Sequence, residues 1–203
     1  MASVQPEASG KERILDAAID LFGAKGVEAT TVRGIAAAAG VSPALVLHHF
    51  GSKDGLSRAA DDRIMQMIAA IRPAMEHSAR AVSRGEPERF AYLPFLTLVE
   101  NPQLAAYIRR ILIDGGERAS AFLRGAFGQA TRLQHDLIAQ GVARPTEDVE
   151  TRVGVLLSMA MSLLILREPL SDVLDFDPLT EDGLERWLAQ VQQIVTRGFI
   201  VEQ

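Results

Sequence analysis

Apolar residues recur at helical spacing along almost the whole chain, and this periodicity limits the possible folds more than any other feature. Near the N-terminus, Ile14, Leu15, Ala18, Leu21 and Phe22 follow the i, i+1, i+4, i+7, i+8 pattern that places side chains on one helical face. No segment alternates apolar and polar residues between turn signals, as a half-buried strand does. The sequence therefore predicts an all-α fold.

Capping residues and glycines divide this pattern into helices. Ser9 and Glu12 have the spacing of a capping box, and Gly26 suits a left-handed C-cap, which predicts a first helix over about 10–25. Thr31 and Ser42 are good N-caps for two short helices that follow. A fourth helix is predicted from a cap at 52 to about 71. Longer helices are predicted over roughly 87–100, 102–114, 117–140, 146–167 and 181–200, with an irregular link of about one helical turn at 168–180.

Composition excludes several classes of protein. The 203 residues are 48% hydrophobic and include no cysteine, so the chain is expected to be globular, without disulfides, a thiol nucleophile or Cys-ligated metal. A reducing cytoplasm fits this best. The N-terminus lacks the apolar core of a signal peptide, and the longest apolar run, at 153–166, is too short to span a bilayer. We therefore expect a cytoplasmic protein without membrane association.

Catalytic and cofactor-binding motifs are also missing from the sequence. The chain has no Gly-x-Gly-x-x-Gly, P-loop, His-Glu-x-x-His or Gly-x-Ser-x-Gly string, and Asp175-x-Asp177 lacks the glycine and glutamate of a calcium loop. Neighbouring His48 and His49 point about 100° apart on a helix, which does not suit a shared metal. We expect no cofactor, no metal and no enzymatic activity.

The net charge of −5 argues against nucleic-acid binding until the chain is divided. Residues 1–58 carry six basic and six acidic side chains, whereas the remainder carries 15 basic and 20 acidic ones. All the excess negative charge therefore lies beyond residue 58. An N-terminal segment without net charge can still bind DNA if its basic groups share one face.

The segment from Ala39 to Ser42 joins two short predicted helices through a glycine, as a helix-turn-helix requires. Gly40 permits the tight turn, and Ser42 caps the next helix at once. Val46 and Phe50, four residues apart, are expected to face inward and hold that helix against the first one. Its leading turns would then be presented outward.

Four strings in the first 58 residues resemble a known family. They are ILDAA–LF–KG within 14–26, TTVRGIA at 30–36, AGVS at 39–42 and HFGSKDGL at 49–56. In this combination they resemble the TetR family of bacterial transcriptional regulators, in register over about residues 10–58. Beyond that point the chain resembles the family only in general layout.

The resemblance implies a domain organisation and a function. It implies a flexible N-terminal arm over 1–9, a helix-turn-helix DNA-binding domain over 10–58, and a ligand-binding and dimerisation domain over 59–203. It further implies a homodimer that binds double-stranded operator DNA with palindromic half-sites about one DNA turn, ~34–36 Å, or a multiple of it apart. A small-molecule effector bound to the body would release the DNA.

The same resemblance and the helix starts predict the DNA contacts. Lys53 opposes the dipole of its helix, which suits a phosphate partner, although a solvated lysine is the simpler alternative. Arg33 is expected to contact a base or phosphate, with an ion pair to Glu28 as the alternative. The full predicted set is Thr31, Arg33, Ser42, Pro43, Ala44, Leu45, Leu47, His48 and Lys53.

Four positions depart from the family pattern. Leu47 and His48 stand where the family usually has two aromatic residues, so the usual phosphate contact of a tyrosine hydroxyl is missing at 47. The sequence leaves the orientation of His49 open, between packing against the first or fourth helix and facing outward. Gly34 and Gly55 replace the usual acidic residues of two capping boxes, which predicts helix starts weaker by about 0.5–1 kcal/mol each.

A helix that is apolar on all sides, over 153–166, needs cover on all sides, and we expect a second subunit to supply part of it. The last helix carries a second apolar stripe. A large core within one chain is the alternative. The predicted dimer interface comprises Leu156, Met159, Leu163, Leu184, Trp187, Leu188, Val191 and Ile194.

Effector-pocket residues are harder to predict, because core and pocket side chains share the same composition. Many aliphatic residues and methionines favour a mostly hydrophobic cavity and effector, in which Arg109 would orient an anionic group. The candidate pocket residues are Met67, Phe90, Tyr92, Phe95, Tyr107, Arg109, Phe122, Phe127 and Met159.

Three functional hypotheses remain open at this stage. The first is a ligand-responsive DNA-binding regulator, expected to act as a repressor. The second is a helical small-molecule sensor or carrier that has lost DNA binding, motivated by the altered pair Leu47 and His48 and by the acidic total. The third, an all-α enzyme, has no catalytic cluster to support it.

Overall fold

The computed structural model describes residues 9–84 and 93–197, and within these ranges the chain forms eleven α-helices and no strands. The all-α prediction is confirmed. The helices are α1 (Gly10–Ala29), α2 (Val32–Ala39), α3 (Pro43–Phe50), α4 (Lys53–Ala70), α5 (Arg72–Ser83), α6 (Leu93–Glu100), α7 (Pro102–Asp114), α8 (Gly116–Ala139), α9 (Val149–Ile165), α10 (Arg167–Leu174) and α11 (Glu181–Arg197).

Both predicted ends of the first helix have a structural counterpart. The Ser9 backbone N–H donates to Glu12 Oε2 at 2.8 Å, and the Glu12 backbone N–H donates to Ser9 Oγ at 3.3 Å, which completes the capping box. Gly26 interrupts the helix with φ 80° and ψ 164°, and one further turn carries α1 to Ala29. The Thr30 hydroxyl donates to the Gly26 carbonyl at 2.7 Å and secures this kink.

The helix α1 packs mainly against α7, so the N-terminal helices and the body share one hydrophobic core. Gly23 makes this close approach possible, because a Cβ atom there would lie 3.0 Å from the backbone nitrogen of Tyr107. Ile14 and Phe22 of α1 are fully buried in the same cluster as Ile108 of α7. The helix α1 is therefore in direct backbone contact with α7 of the body.

The long helix α8 organises the rest of the body. It packs against α4, α5 and α9, while α9 also contacts α7 and α11 lies against α6. A second, smaller cluster of buried side chains joins α5 to α8 through Ala79, Leu133 and Leu137. The body is therefore a set of packed helices around α8, with α4 reaching from it to the N-terminal helices.

The link predicted to be irregular contains a complete helix, so that prediction was wrong. The eight residues of α10 follow α9 after a bend of 76°. Arg167 at the start of α10 donates to both carboxylate oxygens of Asp177, with contacts of 2.6 and 3.0 Å, and the Ser171 hydroxyl donates to the Arg167 carbonyl. These bonds stabilise a helix that the acidic composition alone does not predict.

No single helix in the described ranges combines the length and hydropathy needed to cross a membrane. Taken together, α9 and α10 reach that threshold, but only across their 76° bend.

Candidate nucleic-acid interface

The turn between α2 and α3 is a Schellman motif. The Val41 N–H donates to the Ala36 carbonyl at 2.9 Å and the Gly40 N–H to the Ala37 carbonyl at 3.3 Å. Gly40 adopts the left-handed conformation, with φ 66° and ψ 38°, that glycine reaches without steric cost. Ser42 then caps α3 directly, accepting from the Leu45 N–H at 3.2 Å. The predicted helix-turn-helix is present.

The helix α3 has one buried residue and an exposed outer face. Val46 is 1% exposed and is held in the core, as predicted, whereas Leu47 is 46% exposed. Pro43, Ala44 and His48 are exposed as well. The leading turns of α3 therefore remain available to a partner.

Leu45 differs from the other predicted contacts on α3. Its side chain is half-buried and packs against the core, with Cδ2 3.7 Å from where a Cβ on Gly10 would lie. It therefore holds α3 against the start of α1. His49, whose orientation the sequence left open, is exposed and does not pack inward.

The hydroxyls of Thr31 and Ser42 act as N-caps. Thr31 Oγ1 accepts from the Gly34 N–H at 3.1 Å, and Ser42 Oγ accepts in the same way at the start of α3. An accepting hydroxyl still has its own proton to donate. Capping and phosphate binding therefore use different parts of the same group, and one does not exclude the other.

Arg33 projects from the first turn of α2 and is exposed. It forms no ion pair with any residue in the ranges 9–84 and 93–197, and Glu28 is not its partner. The alternative of an internal ion pair therefore finds no support in this structure.

Lys53 has a partner that the sequence did not reveal. Its Nζ donates to the Val27 carbonyl at 3.0 Å and to the Glu28 carbonyl at 3.4 Å, at the end of α1. The solvated-lysine alternative is therefore wrong, because the ammonium group caps α1 and ties it to the start of α4. An ammonium has three N–H donors, so one stays available to an anion.

Replacing Lys53 with methionine is expected to lower the free energy of unfolding by about 1–2 kcal/mol, because two carbonyls lose a charged donor. Lys25→Met is the matched control, since Lys25 is exposed on α1 and forms no hydrogen bond or ion pair with a described residue. Urea denaturation of both variants measures the difference. Equal stability of the two variants would show that the Lys53 bonds contribute nothing.

A polar cluster joins α4 to the body. Arg118 of α8 donates to both carboxylate oxygens of Asp61 at 2.9 and 3.0 Å, and the Tyr107 hydroxyl donates to Asp61 at 2.9 Å. Burial and the Asp61 carboxylate raise the pKa of Tyr107 far above its ordinary value, so the ring stays neutral. Sequence reasoning missed Asp61 and Arg118, because nothing in the local pattern places residues 57 positions apart side by side.

The residues predicted to line an effector pocket lie in different surroundings. Phe95, Tyr107 and Phe122 are at most 8% exposed and belong to the packed core. Met67 and Phe127 are half-buried, with Met67 packed on that core, while Met159 is exposed on α9. Phe90 and Tyr92 lie outside the described residues. Of the predicted pocket residues that the structure describes, Arg109 alone lines the cleft between α7, α9 and α10, which combines apolar and charged side chains.

The interface prediction is also partly wrong. Leu163, Leu184 and Leu188 are at most 5% exposed within a single chain, so their side chains are already covered and cannot contact a second subunit. Met159 and Ile194 are 37% and 45% exposed. Leu156, Trp187 and Val191 are half-buried. The helices α7 and α8 cover one side of α9, while Val155, Met159 and Ile165 stay exposed on another.

The fold and this surface define a helix-turn-helix DNA-binding protein, and comparisons with known proteins agree. Residues 14–60 match the profile of the family described as bacterial regulatory proteins, tetR family. The transcriptional regulatory protein RaaS of Mycobacterium tuberculosis is 34% identical over 145 residues, which are 71% of this chain and 64% of RaaS. The chain therefore spans slightly less than two thirds of that relative.

Two further proteins extend the comparison. The transcriptional regulator BetI of Rhizobium meliloti is 31% identical over 156 residues, covering 70% of this chain and 77% of BetI. The solved structure of FadR from Bacillus subtilis, in complex with stearoyl-CoA, has a TM-score of 0.66 at 16% identity, covering 93% of this chain and 98% of FadR. The chain belongs to the TetR family. Both RaaS and BetI are named as transcriptional regulators.

Proposed function

We propose that this protein is a cytoplasmic repressor that binds a palindromic operator as a homodimer and leaves it when a small molecule binds the body. The observation that carries the proposal is the exposed outer face of α3, held by buried Val46 behind a tight turn. A helix presented in this way fits the major groove of B-form DNA. The boundary at residue 58 is a functional one, between the DNA-binding helices and the body. The hydrophobic core runs through both parts and marks no boundary there.

The proposed contacts divide into two kinds. Pro43, Ala44, Leu47 and His48 face outward from α3, where apolar side chains suit thymine methyl groups and an imidazole suits a phosphate or a guanine acceptor. Thr31, Ser42 and the third donor of Lys53 suit phosphates, which position the protein without reading sequence. Arg33 is exposed and suits either partner. Leu45 supports α3 from behind.

A dimer is supported by apolar side chains that are exposed to solvent in a single chain. Val155 and Met159 on α9 are 55% and 37% exposed, and Ile194 on α11 is 45% exposed. Contact of such residues with a second copy would remove apolar surface from water. A two-fold dimer would also supply two copies of α3, which a palindromic operator requires.

A small-molecule effector is supported by the similarity to FadR, whose structure contains stearoyl-CoA. The acyl chain of that ligand is apolar, in line with the hydrophobic effector predicted from composition. The close contact of α1 with α7 supports the release step, because a ligand that displaces α7 would disturb the DNA-binding helices.

Salt dependence of binding tests the proposed function. We expect affinity for a palindromic fragment, selected from random DNA with the purified protein, to fall steeply with salt. About six phosphate contacts give a loss of about a thousand-fold between ~50 and ~200 mM. Absence of DNA binding at low salt, together with saturable binding of a small molecule, would instead favour a sensor or carrier that has lost DNA binding.

The role of Lys53 at the operator can be separated from its role as a cap. The measured quantity is the slope of log DNA affinity against log salt concentration. If the third donor of Lys53 reaches a phosphate, Lys53→Met reduces this slope by about one phosphate contact, whereas loss of the cap alone leaves it unchanged. Lys25→Met again serves as the control.

A further inference from the structure

A cleft of about 360 Å³ lies between α7, α9, α10 and the turn that precedes α11. Ala105 and Leu164 contribute apolar surface, while Arg109, Arg167 and Asp172 contribute charges. The volume lies in the range of small-molecule sites, which combine apolar walls with a few polar groups. Phe95, Tyr107, Phe122 and Phe127 do not line this cleft.

Each of the two basic side chains in the lining of the cleft has a carboxylate partner. Arg167 is held by both oxygens of Asp177, and this bond keeps the pKa of that carboxyl below its usual range. Arg109 pairs with Glu168 through Nη1 at 3.0 Å, whereas its buried Nε has no hydrogen-bond partner among the described residues. Both guanidinium groups of the lining therefore already have a carboxylate.

Asp172 is the remaining carboxylate of the lining. It is exposed and forms no ion pair or hydrogen bond with any residue in the described ranges. Counting the five charged side chains of the lining, two are basic and three are acidic, which leaves one negative charge. An anion would be repelled by that excess and would compete with Glu168 and Asp177 for the guanidinium groups, whereas a cation can pair with Asp172 and displaces nothing.

We propose that this cleft binds a small organic cation, with its ammonium group on Asp172 and its apolar part against Ala105 and Leu164. The inference rests on the proposed function in one respect, which is that the bound molecule acts as an effector. It departs from the expectation of an anionic ligand oriented by Arg109, because that guanidinium is already paired.

The position of the cleft explains how its occupation reaches the DNA-binding helices. Ala106 of α7 lines the cleft, and its carbonyl carbon lies 3.3 Å from where a Cβ on Gly23 of α1 would be. No side chain separates the two helices at this point. A ligand that pushes on this part of α7 therefore moves α1, and with it the packing of α3.

Calorimetric titration of the DNA-free protein tests the site. The probe is phenethylammonium, and hydrocinnamate is its anionic counterpart of similar size. We expect saturable binding of the cation, a loss of about ten-fold or more in affinity for Asp172→Asn, and no binding of the anion. Asp175→Asn is the matched control, because it removes the same charge three residues away and outside the lining.

Two results would overturn the site. One is equal affinity of phenethylammonium for the wild type and Asp172→Asn, and the other is binding of hydrocinnamate as tight as that of the cation. The effector role is measured apart, as the change in affinity for selected DNA when the probe is added. Cation binding that leaves DNA affinity unchanged would contradict the coupling through α7, and a protein that binds the cation but no DNA would contradict the proposed function alone.

Discussion

Gly55→Ala is expected to destabilise the protein by about 2–3 kcal/mol, although alanine favours a helix more than glycine does. Gly55 lies in the first turn of α4, and a Cβ atom there would sit 2.1 Å from the carbonyl oxygen of Phe50. That oxygen belongs to the backbone between α3 and α4, so it cannot move aside as a side chain can. The substitution must displace the turn that ends α3.

Gly34→Ala is the matched control, and it is expected to change the free energy of unfolding in the opposite direction. Gly34 occupies the same position of α2 as Gly55 does of α4, because each donates its N–H to the capping hydroxyl three residues earlier. A Cβ at Gly34 would meet only Thr31 Oγ1, at 3.3 Å. We expect a change between zero and a gain of about 1 kcal/mol in the free energy of unfolding. If urea denaturation shows that both substitutions change the free energy of unfolding in the same direction, this account of the turn is refuted.

Ala44→Glu is expected to lower DNA affinity by about a hundred-fold or more, without lowering stability. Ala44 is exposed in the first turn of α3, where a carboxylate interacts favourably with the helix dipole but would face the phosphates of a bound duplex. Fluorescence anisotropy with a labelled operator fragment and a thermal melt measure the two effects. Ala121→Glu, at an exposed position of α8, controls for the added charge.

A loss of DNA affinity in Ala121→Glu equal to that in Ala44→Glu would point to a general charge effect and not to α3. Unchanged affinity in Ala44→Glu would remove the first turn of α3 from the interface.

Local chemistry made the N-terminal helices predictable from sequence. Ser9, Thr31, Ser42 and Ser52 each accept from a backbone N–H at the helix start where the sequence places a cap. Gly40 ends α2 in the left-handed conformation, as its position in the turn requires. These signals act over three or four residues, so the sequence contains all the information they need.

Contacts between distant segments were not predictable in this way. The carbonyls that bind Lys53 are 25 and 26 residues away, and the cluster of Asp61, Tyr107 and Arg118 joins three helices. Gly55 is another example. From the sequence, a glycine at this position suggests a weak helix start, whereas the structure shows that the neighbouring turn leaves no room for a side chain there.

The body illustrates the same limit. Leu163 and Leu184 have the composition of interface residues, yet the chain covers them itself. Phe95, Tyr107 and Phe122, expected to form a pocket, belong to the core. The charged side chains of the cleft come largely from α10, a helix that the sequence did not predict. Apolar composition alone does not distinguish core, pocket and interface, because all three bury apolar surface.

Selection of binding sites from a random pool of DNA with the purified protein tests the central claim most directly. If two copies of α3 enter successive major grooves, the recovered fragments share a palindrome whose half-sites lie about one helical turn, ~34–36 Å, or a multiple of it apart. The Ala44→Glu variant is expected to recover no shared sequence from the same pool. Recovery of an unpaired motif, or of no common sequence by the wild type, would contradict the claim.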